Sequence, residues 1–310
     1  MKRLTALLCG CLLSAQALAA DKVEVMLDWF INPDHGPLII AQQKGFFAAQ
    51  GLEVSLVEPA DPSMPPKLVA AGKTDMAVSY QPQLHLQVDQ GLPLTRVGTL
   101  VATPLNSLVV LKDGPINSIA DLKGKKVGFS VSGFEDALLS AMLNKHGLKA
   151  DDIELINVNW SLSPSVISGQ VDAVIGAFRN FELNQMDIEG HPGRAFFVEE
   201  EGVPAYDELI LVVNKAKQDD PRWARFMTAL EQATQYIINH PDAAWGSFVS
   251  YKPNELNTEL NRRAWGDTLT RFALRPAALD TGRYQRFGAF MQAQGLTKAN
   301  PAVDTYAITP

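Results

Sequence analysis

The chain has 310 residues, 46% of them hydrophobic and 20% charged, with a formal net charge of −7 and only two cysteines. That length can bury an ordinary hydrophobic core, and the acidic balance argues against nucleic acid or anionic lipid as a partner, since both repel it. Cys9 and Cys11 both sit in the N-terminal leader, so disulfides, thiolate catalysis and Cys-ligated metals are excluded from the rest of the chain.

Lys2 and Arg3 open that leader, and LTALLCGCLLSAQALA carries no charge before Asp21. The stretch is too short for a membrane span, and Ala19 and Ala20 offer a cleavage point, so residues 1–20 are expected to be a signal peptide and the mature protein periplasmic. Cys11 follows a small residue, which leaves lipidation open, although the apolar LLSAQALA after it is unlike a polar lipoprotein tether. Losing Lys2 and Arg3 takes the formal charge from −7 to −9.

KVEVMLDWF reads as a strand, PLIIAQQKGFFAAQG as a helix closed by Gly51, LEVSLVEP as a strand, and MPPKLVAAG as a helix begun by prolines and ended by Gly72. TDMAVSY (strand), PQLHLQVDQG (helix), TRVGTLVAT and NSLVVLK (strands) continue the alternation. Such a succession predicts an α/β fold with a largely parallel sheet and ligands beyond the carboxyl ends of its strands. Gly114, Pro115 and Gly124 then punctuate the chain, and KKVGFSV to RAFFVEE repeats the pattern. ELILVVNK leads out again, and from PRWARFMTALEQATQYIINH onward the chain is almost wholly amphipathic helix.

The economical assembly is two α/β lobes joined by two crossings, near Val109–Lys112 and Leu211–Asn214. Residues 21–111 with 212–310 form lobe 1, and residues 112–211 form lobe 2. A double crossing makes a hinge, and the loop DWFINPDHGP belongs on the rim of the cleft.

In order and phrasing the chain resembles the solute-binding proteins of bacterial ABC importers, which implies the type II periplasmic-binding fold. LDWFINPDHGPLIIAQQKGFFAAQGLEV, VEPADP, AAGKTDMAVSY, DLKGKKVGFS, SGQVDAVIGA and YDELILVVN resemble the thiamine-pyrimidine family. That family holds ThiY-type binders of pyrimidine precursors such as formylaminopyrimidine, together with the eukaryotic synthase of that pyrimidine. The resemblance implies a monomeric binder without cofactor, whose partners are a small pyrimidine and the transmembrane subunits of an ABC permease. Other small solutes (riboflavin, a sulfonate, nitrate) are alternatives within the binding class.

The synthase branch is the alternative from the enzyme class. It resembles a suicide enzyme that needs a lysine for pyridoxal phosphate, a histidine that is consumed and a cysteine-rich strand. Those places fall here on Ser79, Gln83 and AYDEL. Without an amine no Schiff base forms, and without thiolates the iron has no ligands. There is no G-x-S-x-G, H-E-x-x-H or P-loop lysine, and the five histidines are scattered.

A neutral aromatic heterocycle needs flat side chains for stacking and a few fixed donors and acceptors at its edge. Trp29, Tyr80, Trp160, Phe178 and Tyr206 fall at or just beyond strand ends, while Asn32, His35, Gln81, Asn106, Arg179, Asn180 and Glu208 supply edge groups. Glu208, directly before an apolar strand, is expected at the cleft floor; the resemblance implies that it holds the pyrimidine edge, with Arg179 either its ion-pair partner or a ligand group. Glu199–Glu201 reads as a solvated charge run. The turn around Gly133 has two readings: Ser130 and Ser132 hold an anion at a helix start, or Ser132 merely caps the helix beginning at Phe134.

Overall fold

The computed structural model describes residues Ala20–Pro310; the leader, with its cleavage point and Cys11, lies outside the described residues. The first sheet contains β1 (Asp21–Met26), β2 (Leu52–Val57), β3 (Met76–Ser79), β4 (Leu94–Val101) and, returning from far along the chain, the strand Leu209–Asn214. The second contains β5 (Asn106–Leu111), β6 (Lys126–Phe129), β7 (Glu154–Asn157), β8 (Ala173–Phe178) and β9 (Gly193–Phe197). With Leu209–Asn214 as β10, the strand orders are β2-β1-β3-β10-β4 and β7-β6-β8-β5-β9.

In each sheet one central strand runs against its neighbours. β10 is antiparallel to β3 and β4, and β5 is antiparallel to β8 and β9. Each is the first strand after a crossing, so it enters its sheet from the cleft, where the parallel strands β1, β3, β6 and β8 end. β3, β4 and most of β5, β8 and β10 are buried on both faces, which is why they read as continuous apolar runs rather than alternating ones.

The crossings therefore differ from the sequence expectation. Asn106–Leu111 belongs to the second sheet and the whole of Leu209–Asn214 to the first, so the chain crosses between β4 and β5, at 102–105, and again between β9 and β10. Thr103–Pro104 marks the first crossing only weakly. The conspicuous Gly114–Pro115 break follows β5 inside the second lobe and was taken for the boundary.

The C-terminal helices return to the first lobe, as expected. The 18-residue helix Arg222–Asn239 buries Trp223, Phe226 and Leu230 and packs on the helix Gly36–Gln43. Arg96, buried in β4, holds the chain's end by donating to the carbonyls of Pro276, Ala277, Ala278 and Ile308. Five carbonyl and hydroxyl acceptors around one guanidinium make its burial tolerable.

Candidate functional site

Between the lobes lies a narrow cavity of about 30 Å³, room for water in this arrangement rather than for a whole ligand. Its first-lobe wall comes from the loop after β1 (Asp28, Trp29, Asn32, Asp34) and from Tyr80 at the end of β3. Its second-lobe wall comes from Val131 and Glu135 after β6, Leu162, Gly176 and Phe178 of β8, and Phe181 and Glu182 beyond it. All lie at or past the carboxyl ends of parallel strands, where open α/β sheets place ligands.

The aromatic groups are braced across the cleft. Tyr80 stacks on Phe134 with centroids 4.6 Å apart and meets Phe178 edge-on. Trp29 meets Trp160 edge-on at 4.4 Å, and Phe30 faces Phe181 at 6.0 Å. These pairs join the two lobes, each adding about 0.5–1.5 kcal/mol beyond burial.

Four carboxyl groups share the cavity wall. Asp28 accepts from the Tyr80 hydroxyl (2.8 Å) and from His35 Nε2 (2.9 Å). The amide of Asn32 donates to His35 Nδ1, which assigns the ring hydrogen to Nε2. Asp34 accepts at Oδ1 from Asn180 and Thr268, leaving Oδ2 buried and without a partner; burial pushes its pKa up to about 6. Glu135 turns back to accept from the amide of Ser130 at 2.7 Å, and Glu182 from that of Phe178 at 2.6 Å. Burial pushes both to about 8 despite these donors, so at neutral pH each carries a proton it can donate. Among the described residues, no lysine, arginine or histidine lines the cavity.

Glu135 also explains Gly176. A Cβ there would lie 2.3 Å from the Glu135 carboxylate, and the backbone has φ +94°; only glycine fits both.

Of the twelve residues expected at the site, Trp29, Asn32, Tyr80 and Phe178 line the cavity. Trp160 stands beside it, against Trp29. His35 sits behind the wall and orients Asp28, neither facing the cavity nor capping the next helix. Gln81 is buried against the amide of Asp207, and Asn106 accepts from the amide of Gly176. Asn180 reaches from the second lobe to Asp34 and Thr268 of the first, a clasp across the cleft. Tyr206 is buried, packed on Phe287, and donates to Glu208.

Glu208 is fully buried, as expected, yet it is not among the cavity-lining residues. It accepts from the amides of Leu105 (2.6 Å) and Asn106 (2.8 Å) and from Tyr206, so it ties the second crossing to the first. Burial raises its pKa to about 7. Arg179 pairs instead with Glu199, through two hydrogen bonds, and donates to the carbonyls of Leu105 and Asn106. Glu199 is thus no free surface acid, and Glu201 pairs with His146 and Lys145. Glu208→Ala strands two buried amides and is expected to lower unfolding free energy by about 1–3 kcal/mol in urea titrations, with Glu208→Gln, which keeps an acceptor, closer to wild type.

Neither reading of the Gly133 turn survives. Ser132 makes no cap, the helix begins at Glu135, and the Ser130 hydroxyl donates to the Asn159 carbonyl. The Glu135 carboxyl takes the amide of Ser130. Asp28, Asp34, Glu135, Glu182 and Phe181 were missed. The available signal was a repeated Phe-Glu, Phe134–Glu135 and Phe181–Glu182, opening the helices after β6 and just after β8.

Two α/β lobes, a double crossing and a cavity at the strand ends define a periplasmic-binding-protein-like fold of type II. The same architecture is seen in the alkanesulfonate-binding protein SsuA from Xanthomonas axonopodis pv. citri bound to MOPS, with TM-score 0.73, 18% identity, and coverage of 94% of this chain and 99% of that one. The chain belongs to the NMT1/THI5-like family, whose profile matches residues 32–244. A Haemophilus influenzae protein whose name links it to thiamine biosynthesis is 60% identical over 299 residues, 96% of this chain and 95% of its own length. A formylaminopyrimidine-binding protein of Halalkalibacterium halodurans is 36% identical over 228 residues, 73% of this chain and 69% of its own. The 4-amino-5-hydroxymethyl-2-methylpyrimidine phosphate synthase of Aspergillus parasiticus is 28% identical over 286 residues, 87% and 83% of the two chains. The family thus contains both binding proteins and synthases.

Proposed function

We propose that this is a periplasmic, non-enzymatic, monomeric solute-binding protein that captures a 4-aminopyrimidine thiamine precursor, formylaminopyrimidine or a hydroxymethylpyrimidine-like relative, and delivers it to the transmembrane subunits of an ABC permease. The observation that carries the ligand class is a cavity walled by aromatic rings and four carboxyl groups with no cation. A 4-aminopyrimidine edge presents an amine donor beside a ring-nitrogen acceptor, so it needs one acceptor and one donor side by side. A protonated Glu135 supplies the donor to the ring nitrogen, and a carboxyl oxygen such as that of Asp28 accepts from the amine. Tyr80, Trp29 and Phe178 offer ring faces. The same wall disfavours a sulfonate or nitrate, which would meet carboxyl groups and no balancing charge.

The binder is favoured over the synthase by the residues at the corresponding positions. Ser79 donates to Gln83 at 2.8 Å, both buried, where the resemblance sets a lysine and a histidine in the enzyme. Purified protein is expected to develop no Schiff-base absorbance with pyridoxal phosphate; a stable band would favour the enzyme. Native mass spectrometry of protein isolated from periplasm is expected to reveal an aminopyrimidine bound one to one, whereas a bound sulfonate or flavin would replace this assignment.

A further inference from the structure

Outside the inner cavity lies a wider space of about 500 Å³, open to solvent, which shares Trp29, Leu162, Phe181 and Glu182 with it. Two more rings, Phe30 and Trp160, face this vestibule, so four aromatic side chains stand around it. Phe30 is 39% exposed and joins Trp29, Trp160 and Phe181 in a cluster of rings. Among the described residues, no lysine or arginine is stacked on any of these four rings; the cation–ring pairs lie on Tyr236, Phe197, Trp223 and Trp245.

The polar part of the lining has one sign. Glu58, Glu182 and Glu255 line the vestibule, and no basic residue does. Lys252 bridges Glu58 and Glu255, 3.2 Å from each, so two of the lining carboxylates share a single lysine. A second, independent feature is Ser163, which lines the vestibule with its hydroxyl buried and without a hydrogen-bond partner. A buried hydroxyl left unpaired costs stability unless a ligand completes it. Aromatic faces beside two carboxylates that share one lysine leave acceptor charge in excess, the setting that receives a positively charged planar group.

We propose that the vestibule is a second ligand subsite, so that the preferred ligand is a 4-aminopyrimidine bearing, through a short link, a cationic ring-sized substituent. The ring enters the inner cavity, and the substituent lies among Trp29, Phe30, Trp160 and Phe181. This rests on the aminopyrimidine assignment of the inner cavity.

Calorimetric titration of the mature chain with three probes tests it: 4-amino-5-hydroxymethyl-2-methylpyrimidine, the same pyrimidine carrying an uncharged benzyl group, and thiamine, in which that pyrimidine bears a thiazolium. Thiamine is expected to bind at least tenfold more tightly than the alcohol and more tightly than the benzyl compound. Phe30→Ala is expected to weaken thiamine at least fivefold while leaving the alcohol within twofold. Binding of the alcohol with thiamine equal, weaker or excluded overturns the second subsite and leaves the inner-cavity assignment intact. Binding of none of the three overturns both.

Discussion

Glu135→Ala is expected to weaken 4-aminopyrimidine binding by about 5- to 150-fold, or about 1–3 kcal/mol, through loss of one buried hydrogen bond to the ring. The carboxyl lines the cavity and is anchored at Oε2 by the amide of Ser130, which leaves Oε1 for the ligand. Burial holds its pKa at about 8, so the proton needed by an unprotonated ring nitrogen is present at pH 7 and lost above about pH 8. Wild-type affinity is therefore expected to fall as pH rises past that point. Glu135→Gln keeps an acceptor toward the Ser130 amide and a fixed N–H donor toward the ring, so it should retain more affinity than alanine and lose this pH dependence. Calorimetry on the three proteins between about pH 6 and 9 measures both effects. Equal binding by wild type and Glu135→Ala would remove Glu135 from the site.

The ligand-free protein is expected to lose stability as pH rises from about 6 to 9, on the order of 3 kcal/mol for each of Glu135 and Glu182. Both folded pKa values, about 8, lie above the ordinary 4.5 because burial disfavours the ionised form. The folded state therefore binds the extra protons. Their contribution is complete below the unfolded value and disappears as pH rises through the folded one. Asp34, at about 6, and Glu208, at about 7, act in the same direction. The double substitution Glu135→Gln, Glu182→Gln removes the ionisable protons without emptying the space, so its unfolding free energy should change much less across this range. Thermal and urea unfolding at the two ends of the range provide the comparison. A wild type equally stable at both ends, or a double variant that declines just as far, would contradict the burial of these acids.

Much of this architecture could be read from the chain itself. The alternation of apolar strands with helices bounded by prolines and glycines is a local pattern, and it appears in the structure nearly as read. Trp29, Tyr80 and Phe178 were accessible for the same reason: an aromatic residue just past a strand end is placed by chain order alone. The acids were not. Glu135 and Glu182 look like ordinary first-turn acids, and only tertiary packing buries them. Glu208 shows the converse, since its burial was foreseen but its partners, the amides of Leu105 and Asn106, lie about a hundred residues earlier in the chain. The first crossing was misplaced because Pro104, between two short strands, looks like any turn within a sheet, while Gly114–Pro115 is the stronger punctuation.

Titration calorimetry of the mature protein with formylaminopyrimidine, run beside an alkanesulfonate of similar size, tests the central claim most directly. One-to-one binding of the pyrimidine at micromolar or lower concentration, with no detectable heat from the sulfonate, is the expected result. A protein that binds the sulfonate and ignores the pyrimidine would contradict the assignment of a cation-free, carboxyl-lined cavity to an aminopyrimidine.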